Sequence, residues 1–299
     1  MNKFKKSIVM YHDNSGQQDI YDVLEKTSRN ILKLSNETVF FKSEKQGDFY
    51  KKCEELKDFD LVIVVGGDGT INEVINGLYH YNLNPTIGII PAGSFNDFSR
   101  TVNIGSNPVQ ASENLLDAEV KEYDCILNDD KIALNFWTVG IATSNAVKMQ
   151  DTDKSTFGVL TYIPKIFETL SEDNIFDYEI ELDGKLITGS AIMVFVANGL
   201  YSGSVELPIS DISPSDGVLN VFIVENTNLS TFKALFRKQN SADFNEENES
   251  ITTYKAKEIK FIKPEGLSVD TDGELYQQTP SSIKVLEKRF KFLYKPLEQ

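Results

Sequence analysis

Three short motifs in this chain carry residue types that suit phosphoryl transfer. The first, Gly66-Gly67-Asp68-Gly69-Thr70, surrounds an acid with glycines, and the second, Gly93-Ser94 with Asn96-Asp97, adds hydroxyl, amide and carboxylate groups. The third, Asp272-Gly273-Glu274, lies near the end of the chain and is again acidic. Glycines let phosphate oxygens approach backbone N–H groups, and carboxylates bind metal ions or accept protons. Together these residues could transfer a phosphoryl group.

The first motif lies between an expected strand and an expected helix. Residues 59–65 form a short, β-branched apolar run typical of a strand buried on both faces. Thr70 and Glu73 have the form of a capping box, which predicts that the helix begins at Thr70. A helix start offers unpaired N–H groups and a partial positive charge, so this loop can hold the phosphates of a nucleotide. The apolar residues that recur at helical spacing after the loop are Ile71, Val74, Ile75 and Leu78.

The first motif carries an acid where a Walker-type loop carries a lysine. The pattern GxxxxGK[ST] does not occur in the sequence. Asp68 would repel phosphate unless a cation lay between them, so the motif predicts Mg²⁺, held partly through water. Taken alone, a tight glycine turn with a solvated Asp68 explains the motif equally well.

The second motif follows another short buried strand, expected at residues 86–90. Pro91-Ala92-Gly93 ends that strand, and Ser94 or Asn96 is suited to cap the next helix. In a doubly wound sheet the two loops would meet at the carboxyl edge, where Asn96 and Asp97 would face the same pocket as Asp68. Helix capping alone is the competing explanation for Asn96-Asp97.

With Asn198-Gly199 and Asp216-Gly217, these motifs stand in the order and approximate spacing of the diacylglycerol kinase catalytic family. The chain most closely resembles the soluble bacterial lipid kinases of that family, over nearly its whole length. The Gly-Gly-Asp-Gly motif is also similar to motifs of NAD kinases and phosphofructokinases, whereas Asn-Asp-Phe and Asp-Gly-Glu are more specific. The resemblance implies an ATP-dependent lipid kinase, with diacylglycerol as the leading acceptor.

The resemblance also implies an N-terminal α/β nucleotide-binding domain, followed by a β-sandwich domain, with the active site in the cleft between them. We expect residues 1–127 and the C-terminal segment 285–299 in the first domain, and residues 128–284 in the second. The sequence supports this division, because strand-like and helix-like segments alternate up to about residue 127 and short β-type segments dominate afterwards. Those β-type segments are 131–139, 178–182, 185–188, 191–197, 217–224 and 254–262, with a hairpin turn predicted at Asp183-Gly184.

Roles for individual residues follow from the resemblance. ATP is expected on Gly66, Gly67, Asp68, Gly69, Thr70, Asn72 and Glu73, with Ser94 and Asn96 beside it, Ser15-Gly16 closing over it and Ser43 as a weaker match. Asp68, Asp97 and Asp124 would form a water-linked acidic network around Mg²⁺. Asp272 would be the general base for the lipid hydroxyl, and Glu274 would orient it or join the metal network. A simple hairpin turn is the alternative explanation for Asp272-Gly273.

Two further loops carry weaker signals. Around Asp216, the carbonyl groups of Ser213 and Val218 could join the carboxylate in a second Mg²⁺ site, which the resemblance also implies, although a type I turn is nearly as good an explanation. The first turn departs from the family pattern, because His12 and Asp13 replace the usual Asn-Pro and Gln17 replaces a basic residue. His12 could donate to phosphate or serve a structural role.

Charge and cysteine content bound the partners and the location. With 45 acidic and 30 basic residues, the chain has a net charge of −15, which argues against nucleic-acid binding. A lipid substrate would be met at the membrane surface through a restricted patch, and an amphipathic helix expected at residues 229–239 is the candidate, unless it merely covers a sheet. Cys53 and Cys125 are isolated, and no apolar run approaches the roughly 20 residues of a membrane span. We therefore expect a cytoplasmic protein, peripheral to the inner face of the membrane, with a homodimer left open.

Two alternatives to a diacylglycerol kinase stay open at this point. Another lipid alcohol, such as a sphingoid base or a monoacylglycerol, could be the acceptor, because the sequence does not define the acceptor cleft. A nucleotide-binding regulatory protein with degraded catalysis is compatible with the altered first turn. NAD kinase activity fits the second and third motifs less well.

Overall fold

The structure is a computed structural model that describes residues 3–13, 19–140, 175–207, 212–225 and 251–296. The expected nucleotide contact at Ser15-Gly16 and the helix expected at residues 229–239 lie outside the described residues. The chain forms two compact units, one of residues 1–124 with 288–299 and the other of residues 125–287. Each unit has its own layered architecture.

The described residues contain eighteen strands, five α-helices and one 3₁₀ helix. The strands are β1 (Phe4–His12), β2 (Ser35–Ser43), β3 (Leu61–Gly66), β4 (Thr86–Pro91), β5 (Glu119–Asn128), β6 (Lys131–Ala133), β7 (Phe136–Gly140), β8 (Phe176–Leu182), β9 (Lys185–Ala191), β10 (Met193–Ala197), β11 (Tyr201–Ser202), β12 (Val205–Glu206), β13 (Leu219–Val224), β14 (Ile251–Ala256), β15 (Glu258–Lys263), β16 (Ser268–Thr271), β17 (Glu274–Gln278) and β18 (Ser281–Tyr294). The helices are α1 (Ile20–Ile31), α2 (Asp48–Lys52), the 3₁₀ helix (Cys53–Asp58), α3 (Asp68–His80), α4 (Asp97–Thr101) and α5 (Pro108–Asp117).

A parallel sheet in the order β2-β1-β3-β4 forms the centre of the first unit. Both β3 and β4 are buried along their whole length, as their continuous apolar sequences predict. The end of β18 extends this sheet, because Lys291 and Phe292 pair in parallel with Thr86 and Ile87 of β4. Helix α3 packs on β3, and α5 packs on β4. The carboxyl ends of β3 and β4 therefore lead side by side into the first two motifs.

A β-sandwich forms the second unit. One sheet has six strands in the order β14-β13-β10-β7-β16-β17, and the other contains β15 between β8 and the start of β18, with β9 beside β8. Alternate residues from both sheets meet in one apolar core, in which the rings of Trp137 and Phe261 lie 5.8 Å apart. The expected architecture, an N-terminal α/β unit followed by a β-sandwich, is confirmed. None of the helices in the described ranges is long and apolar enough to span a membrane.

Two Asp-Gly turns connect strands of the sandwich in the same conformation. Asp183 and Gly184 have φ angles of 47° and 83°, and Asp272 and Gly273 have φ angles of 53° and 90°. Positive φ at both central residues is the mark of the two-residue hairpin turn that matches strand twist, and Asp-Gly is a preferred sequence for it. The predicted hairpin at Asp183-Gly184 is therefore confirmed, and Asp272-Gly273 is also a hairpin turn.

The β-type segments expected at residues 131–139 and 254–262 are each divided into two strands. The first breaks between β6 and β7, where the amides of Leu134, Asn135 and Phe136 donate to the carboxylate of Asp272. The second breaks between β14 and β15, where the amides of residues 257 and 258 donate to the carboxylate of Asp183. A backbone amide bound to a distant side chain cannot join a strand ladder, so each turn aspartate ends a strand elsewhere in the sandwich.

The predicted capping box at Thr70 and Glu73 is also wrong. Helix α3 begins at Asp68, with Gly67 at its N-cap position and no side-chain capping bond. The Glu73 carboxylate instead accepts hydrogen bonds from the amides of Gly47, Phe49 and Tyr50, at 3.0, 2.8 and 3.2 Å. The acid suits this position because the N-terminal amides of helix α2 lack partners within their own helix.

Replacing Glu73 by Ala is expected to lower the free energy of unfolding by about 1–3 kcal/mol, because three backbone amides lose their acceptor. The measurement is urea denaturation followed by circular dichroism. Glu55, whose side chain is exposed and forms an ion pair with Lys52, provides the control, and Glu55→Ala should change the stability by less than about 0.5 kcal/mol. Equal losses in the two variants would contradict the capping role of Glu73.

Candidate active site

The loops that follow β3 and β4 touch each other through glycine backbone. A Cβ atom placed on Gly93 would lie 2.4 Å from the Cα atom of Gly67, and one on Gly67 would lie 2.8 Å from the Cα atom of Gly93. The Ala92 amide also donates to the Gly66 carbonyl at 2.9 Å. No side chain fits between these loops, so they present bare backbone beside the start of α3. We call Gly67 and Gly93, with the backbone around them, the glycine cradle.

Asp68 joins the two loops of the glycine cradle. Its carboxylate accepts hydrogen bonds from the amides of Asp97 and Phe98, both at 3.1 Å, and so caps the start of helix α4. Asn96 stands at the N-cap position of α4 without a capping bond, because its side chain bonds the backbone of Gly93 instead. The structure therefore brings Asp68, Asn96 and Asp97 together, as expected for the two motifs. Burial raises the pKa of Asp68, and the backbone amides that it accepts oppose that rise.

Two acids of the predicted network, Asp68 and Asp124, accept hydrogen bonds from backbone amides. Asp97 is buried, and Asp124 is fully buried with its carboxylate accepting the Lys288 amide at 2.7 Å. Within the described ranges, no group of three or more histidines, cysteines or acids is placed to hold a metal ion. These residues do not fit a direct Mg²⁺ ligand set. A magnesium ion held through water and phosphate oxygens stays a prediction.

The other expected nucleotide contacts have partners close to them in the first unit. The His12 Nε2 atom lies 3.1 Å from the Thr70 Oγ1 atom, and the His12 ring packs beside Phe49. Burial lowers the pKa of His12, while the negative charges of Glu73 and Asp13 act against that change. The altered first turn thus places an imidazole against α3, at the end of β1.

The remaining expected contacts differ in exposure. The Ser43 hydroxyl donates to the Lys45 carbonyl at 2.9 Å, and the Asn72 side chain accepts from Asn76 at 3.1 Å. Ser94 and Gly69 are exposed beside the glycine cradle, where a ligand can reach them. Whether each of these residues contacts a nucleotide stays a prediction.

In the second unit, Asp272 is held by three backbone amides. Its Oδ2 atom accepts from Leu134 at 2.7 Å, and its Oδ1 atom accepts from Asn135 and Phe136, both at 2.9 Å. These bonds fix the direction of the carboxylate, while the residue itself stays partly exposed. The three donors hold the carboxylate in one fixed orientation, as a base or a positioning group requires.

The Asn198-Gly199 pair holds the same segment from its carbonyl side. The Asn198 side chain donates to the Leu134 carbonyl at 2.7 Å, and the amides of Asn198 and Gly199 both donate to the Asn135 carbonyl at 2.9 Å. A Cβ atom on Gly199 would lie 2.6 Å from the Asn135 Oδ1 atom, so a larger residue would displace that side chain. The pair therefore supports the segment that orients Asp272. The sequence indicated Asn198-Gly199 only as one of the motifs of the family resemblance and gave no role for it.

Asp270, which the sequence analysis did not single out, is the most buried acid near Asp272. It is 1% exposed, and its Oδ1 atom accepts the Gly273 amide at 2.8 Å. Burial raises the pKa of Asp270 to about 7, with smaller contributions from the negative charges of Asp272 and Glu274. Nothing in the local sequence distinguishes it from a solvated strand acid.

The proposed second metal loop is a compact turn. The Val218 amide donates to the Asp216 carboxylate at 3.3 Å, and the hydroxyls of Ser213 and Ser215 lie 3.4 Å apart. The carboxylate therefore faces an N–H group of its own turn, as in an Asx turn. Cation binding by Ser213, Asp216 and Val218 stays a prediction.

The glycine cradle in an α/β unit, followed by a β-sandwich, is typical of a class of nucleotide-binding proteins. Bare backbone at the carboxyl edge of a parallel sheet, beside a helix start, is the arrangement with which α/β proteins bind nucleotide phosphates. The chain matches the family "Diacylglycerol kinase catalytic domain" over residues 6–127 and the family "YegS C-terminal NAD kinase beta sandwich-like domain" over residues 138–293.

Similar proteins cover the chain almost completely. A protein named "Putative lipid kinase" from Staphylococcus aureus strain MSSA476 is 36% identical over 298 residues, which are 98% of each chain, and its counterpart in strain JH9 matches equally. Two crystal structures from Bacillus anthracis str. Sterne, titled as diacylglycerol kinases, the first of them as "putative", are 32% identical with TM-scores of 0.89 and 0.85, and each covers 99% of both chains. The chain belongs to the lipid kinase family that these two domains define. It is a phosphotransferase that acts on an alcohol group.

Proposed function

We propose that this protein is an ATP-dependent kinase that transfers the γ-phosphate of ATP to the hydroxyl of diacylglycerol, giving phosphatidic acid. The observation that carries the proposal is the glycine cradle, in which Asp68 joins the loops after β3 and β4 and leaves bare backbone for phosphate. Diacylglycerol as the acceptor is supported by the titles of the Bacillus anthracis structures.

The residues of the chain divide the work of the transfer. The glycine cradle would bind the phosphates through its amides, with the exposed Ser94 beside them. Asp272 would accept the proton of the lipid hydroxyl. The oxygen of that hydroxyl would form a bond to the γ-phosphorus of ATP, while the bond from the γ-phosphorus to the β-phosphate oxygen breaks. Because the three amides fix the Asp272 carboxylate, it needs little reorganisation to orient the hydroxyl. Mg²⁺ bound with ATP would supply neutralisation of the phosphate charge.

Contact with the lipid requires a local surface that compensates the net charge. At −15, the chain as a whole is repelled by anionic bilayers, so we propose a peripheral and restricted contact with the cytoplasmic membrane surface. The candidate segment at residues 229–239 lies outside the described residues. Assembly into a homodimer stays a prediction.

The test is transfer of radiolabel from ATP to a panel of acceptors in mixed micelles, with chelated magnesium as a control. We expect label on diacylglycerol, dependent on Mg²⁺. Label only on a sphingoid base or a monoacylglycerol would support lipid kinase activity but would contradict diacylglycerol as the acceptor. Label on NAD would replace the proposal, and tight ATP binding without transfer to any alcohol would favour a regulatory nucleotide-binding protein.

A further inference from the structure

The two Asp-Gly turns of the sandwich share one conformation, but the acids that precede them differ. Two residues before Asp183, the side chain of Glu181 is 30% exposed and forms an ion pair with Lys260 at 2.6 Å. Two residues before Asp272, Asp270 is only 1% exposed and bonds the Gly273 amide at the centre of the turn. The Asp183 turn shows that the conformation itself does not require a buried acid.

A buried carboxyl group is unfavourable for folding, so its presence beside Asp272 calls for a reason. Burying an acid without a cationic partner costs free energy whether it stays charged or takes up a proton. The residues that pair with Asp270 across the sheet are Thr138 on β7 and Leu275 on β17, both uncharged. Among the residues that the structure describes, the charged groups that act on Asp270 are Asp272 and Glu274, and both are acidic.

We propose that Asp270 is a positioning residue of the transfer reaction, which acts on Asp272 through the Gly273 amide and through its own negative charge. The hydrogen bond to Gly273 holds the turn in which Asp272 keeps its positive φ angle. The negative charge of Asp270 favours proton uptake by Asp272, because like charges repel across the short distance within the turn. This inference rests on the proposed function, since it assigns a role within that reaction.

The proposal makes the reaction dependent on pH near neutrality. Burial raises the pKa of Asp270 from 3.8 to about 7, so the group loses its proton as the pH rises through neutrality. Above pH 7 its charge supports Asp272, and below pH 7 only the hydrogen bond to Gly273 remains. The turnover number should therefore rise with pH through a step near 7.

The experiment compares Asp270→Asn with Glu181→Gln, the change at the matching position of the other turn. The Asn side chain still accepts the Gly273 amide but cannot ionise. We expect Asp270→Asn to lower kcat roughly tenfold above pH 7, to leave KM for ATP unchanged and to lose the step near pH 7. Glu181→Gln should keep the wild-type rate and profile. A step that persists in Asp270→Asn, or a loss of equal size at every pH, would overturn the inference.

A second measurement does not depend on activity. The side-chain carboxyl resonance of Asp270 in the wild-type protein, followed by NMR, should titrate near pH 7, and a midpoint near 4 would overturn the inference even if Asp270→Asn failed to fold. Because this pKa is higher in the folded than in the unfolded chain, the associated stability is present below about pH 4 and is lost as the pH rises to about 7.

Absence of transfer by the wild type to any alcohol would overturn the proposed function and the role of Asp270 together. Transfer by the wild type with an unchanged rate in Asp270→Asn would overturn the role of Asp270 alone.

Discussion

Replacing Asp272 by Asn is expected to lower the rate of phosphoryl transfer to the lipid by about 10²- to 10⁴-fold, the usual range for loss of a general base. The amide of Asn cannot accept the proton of the hydroxyl. Its NH₂ group would also replace either Oδ2, which accepts one backbone amide, or Oδ1, which accepts two, so at least one backbone donor loses its acceptor. The measurement is kcat with saturating ATP and lipid, together with the free energy of unfolding.

Asp183→Asn is the matched control for this prediction. Asp183 occupies the same position in the same type of turn, and its carboxylate also accepts backbone amides, those of Lys257 and Glu258. Asp272→Asn should therefore lose about 1–3 kcal/mol of stability and Asp183→Asn, whose hydrogen bonds are exposed, less, but only Asp272→Asn should lose activity. Similar kcat losses in both variants would show that Asp272 serves the fold alone.

Replacing Gly93 by Ala is expected to open the glycine cradle. The new Cβ atom would lie 2.4 Å from the Gly67 Cα atom, and neither partner is a flexible side chain that could move away. The backbone must shift, which should lower the free energy of unfolding by about 1–3 kcal/mol or more and weaken ATP binding at least about tenfold. Isothermal titration calorimetry with ATP and thermal denaturation measure the two effects.

Gly88→Ala serves as the control for the cradle variant. Gly88 lies in β4, the strand that leads to Gly93, but a Cβ atom there would meet its nearest neighbour, the Leu293 Cδ1 atom, at 3.4 Å, which is ordinary contact. The control should bind ATP as the wild type does. Unchanged ATP affinity in Gly93→Ala would mean that nucleotide phosphates do not bind at the contact between the two loops.

The local sequence pattern was sufficient to predict segments that form their hydrogen bonds among neighbouring residues or that are buried on both faces. The strands β3 and β4, the loops after them and the Asp183-Gly184 turn were predicted from residue types and spacing alone. Each depends on the period of apolar residues or on the backbone freedom of glycine, and both are properties of a few neighbouring residues. The order of motifs was also sufficient to indicate the family.

Local pattern failed where a distant carboxylate binds backbone amides. The β-type pattern of residues 131–139 and 254–262 shows no break, yet Asp272 and Asp183 accept the amides where each segment divides, from more than 70 residues away. The capping box failed for the same reason, because Glu73 caps α2, and Asp68 instead caps α4. A carboxylate accepts hydrogen bonds from whichever unpaired amides the fold brings near it. The spacing of residues in the sequence does not show which amides those are.

The sequence by itself determined the two-part architecture, the positions of the three motifs and the class of chemistry, because these depend on periodicity, glycine and the kinds of polar groups present. Only the tertiary structure decided what each acid does. It made Asp68 a link between two loops, gave Asp272 three amide donors and buried Asp270 beneath the turn. The physical reason is that the role of a carboxyl group depends on its burial and its hydrogen-bond donors, and both are set by residues far away in the chain.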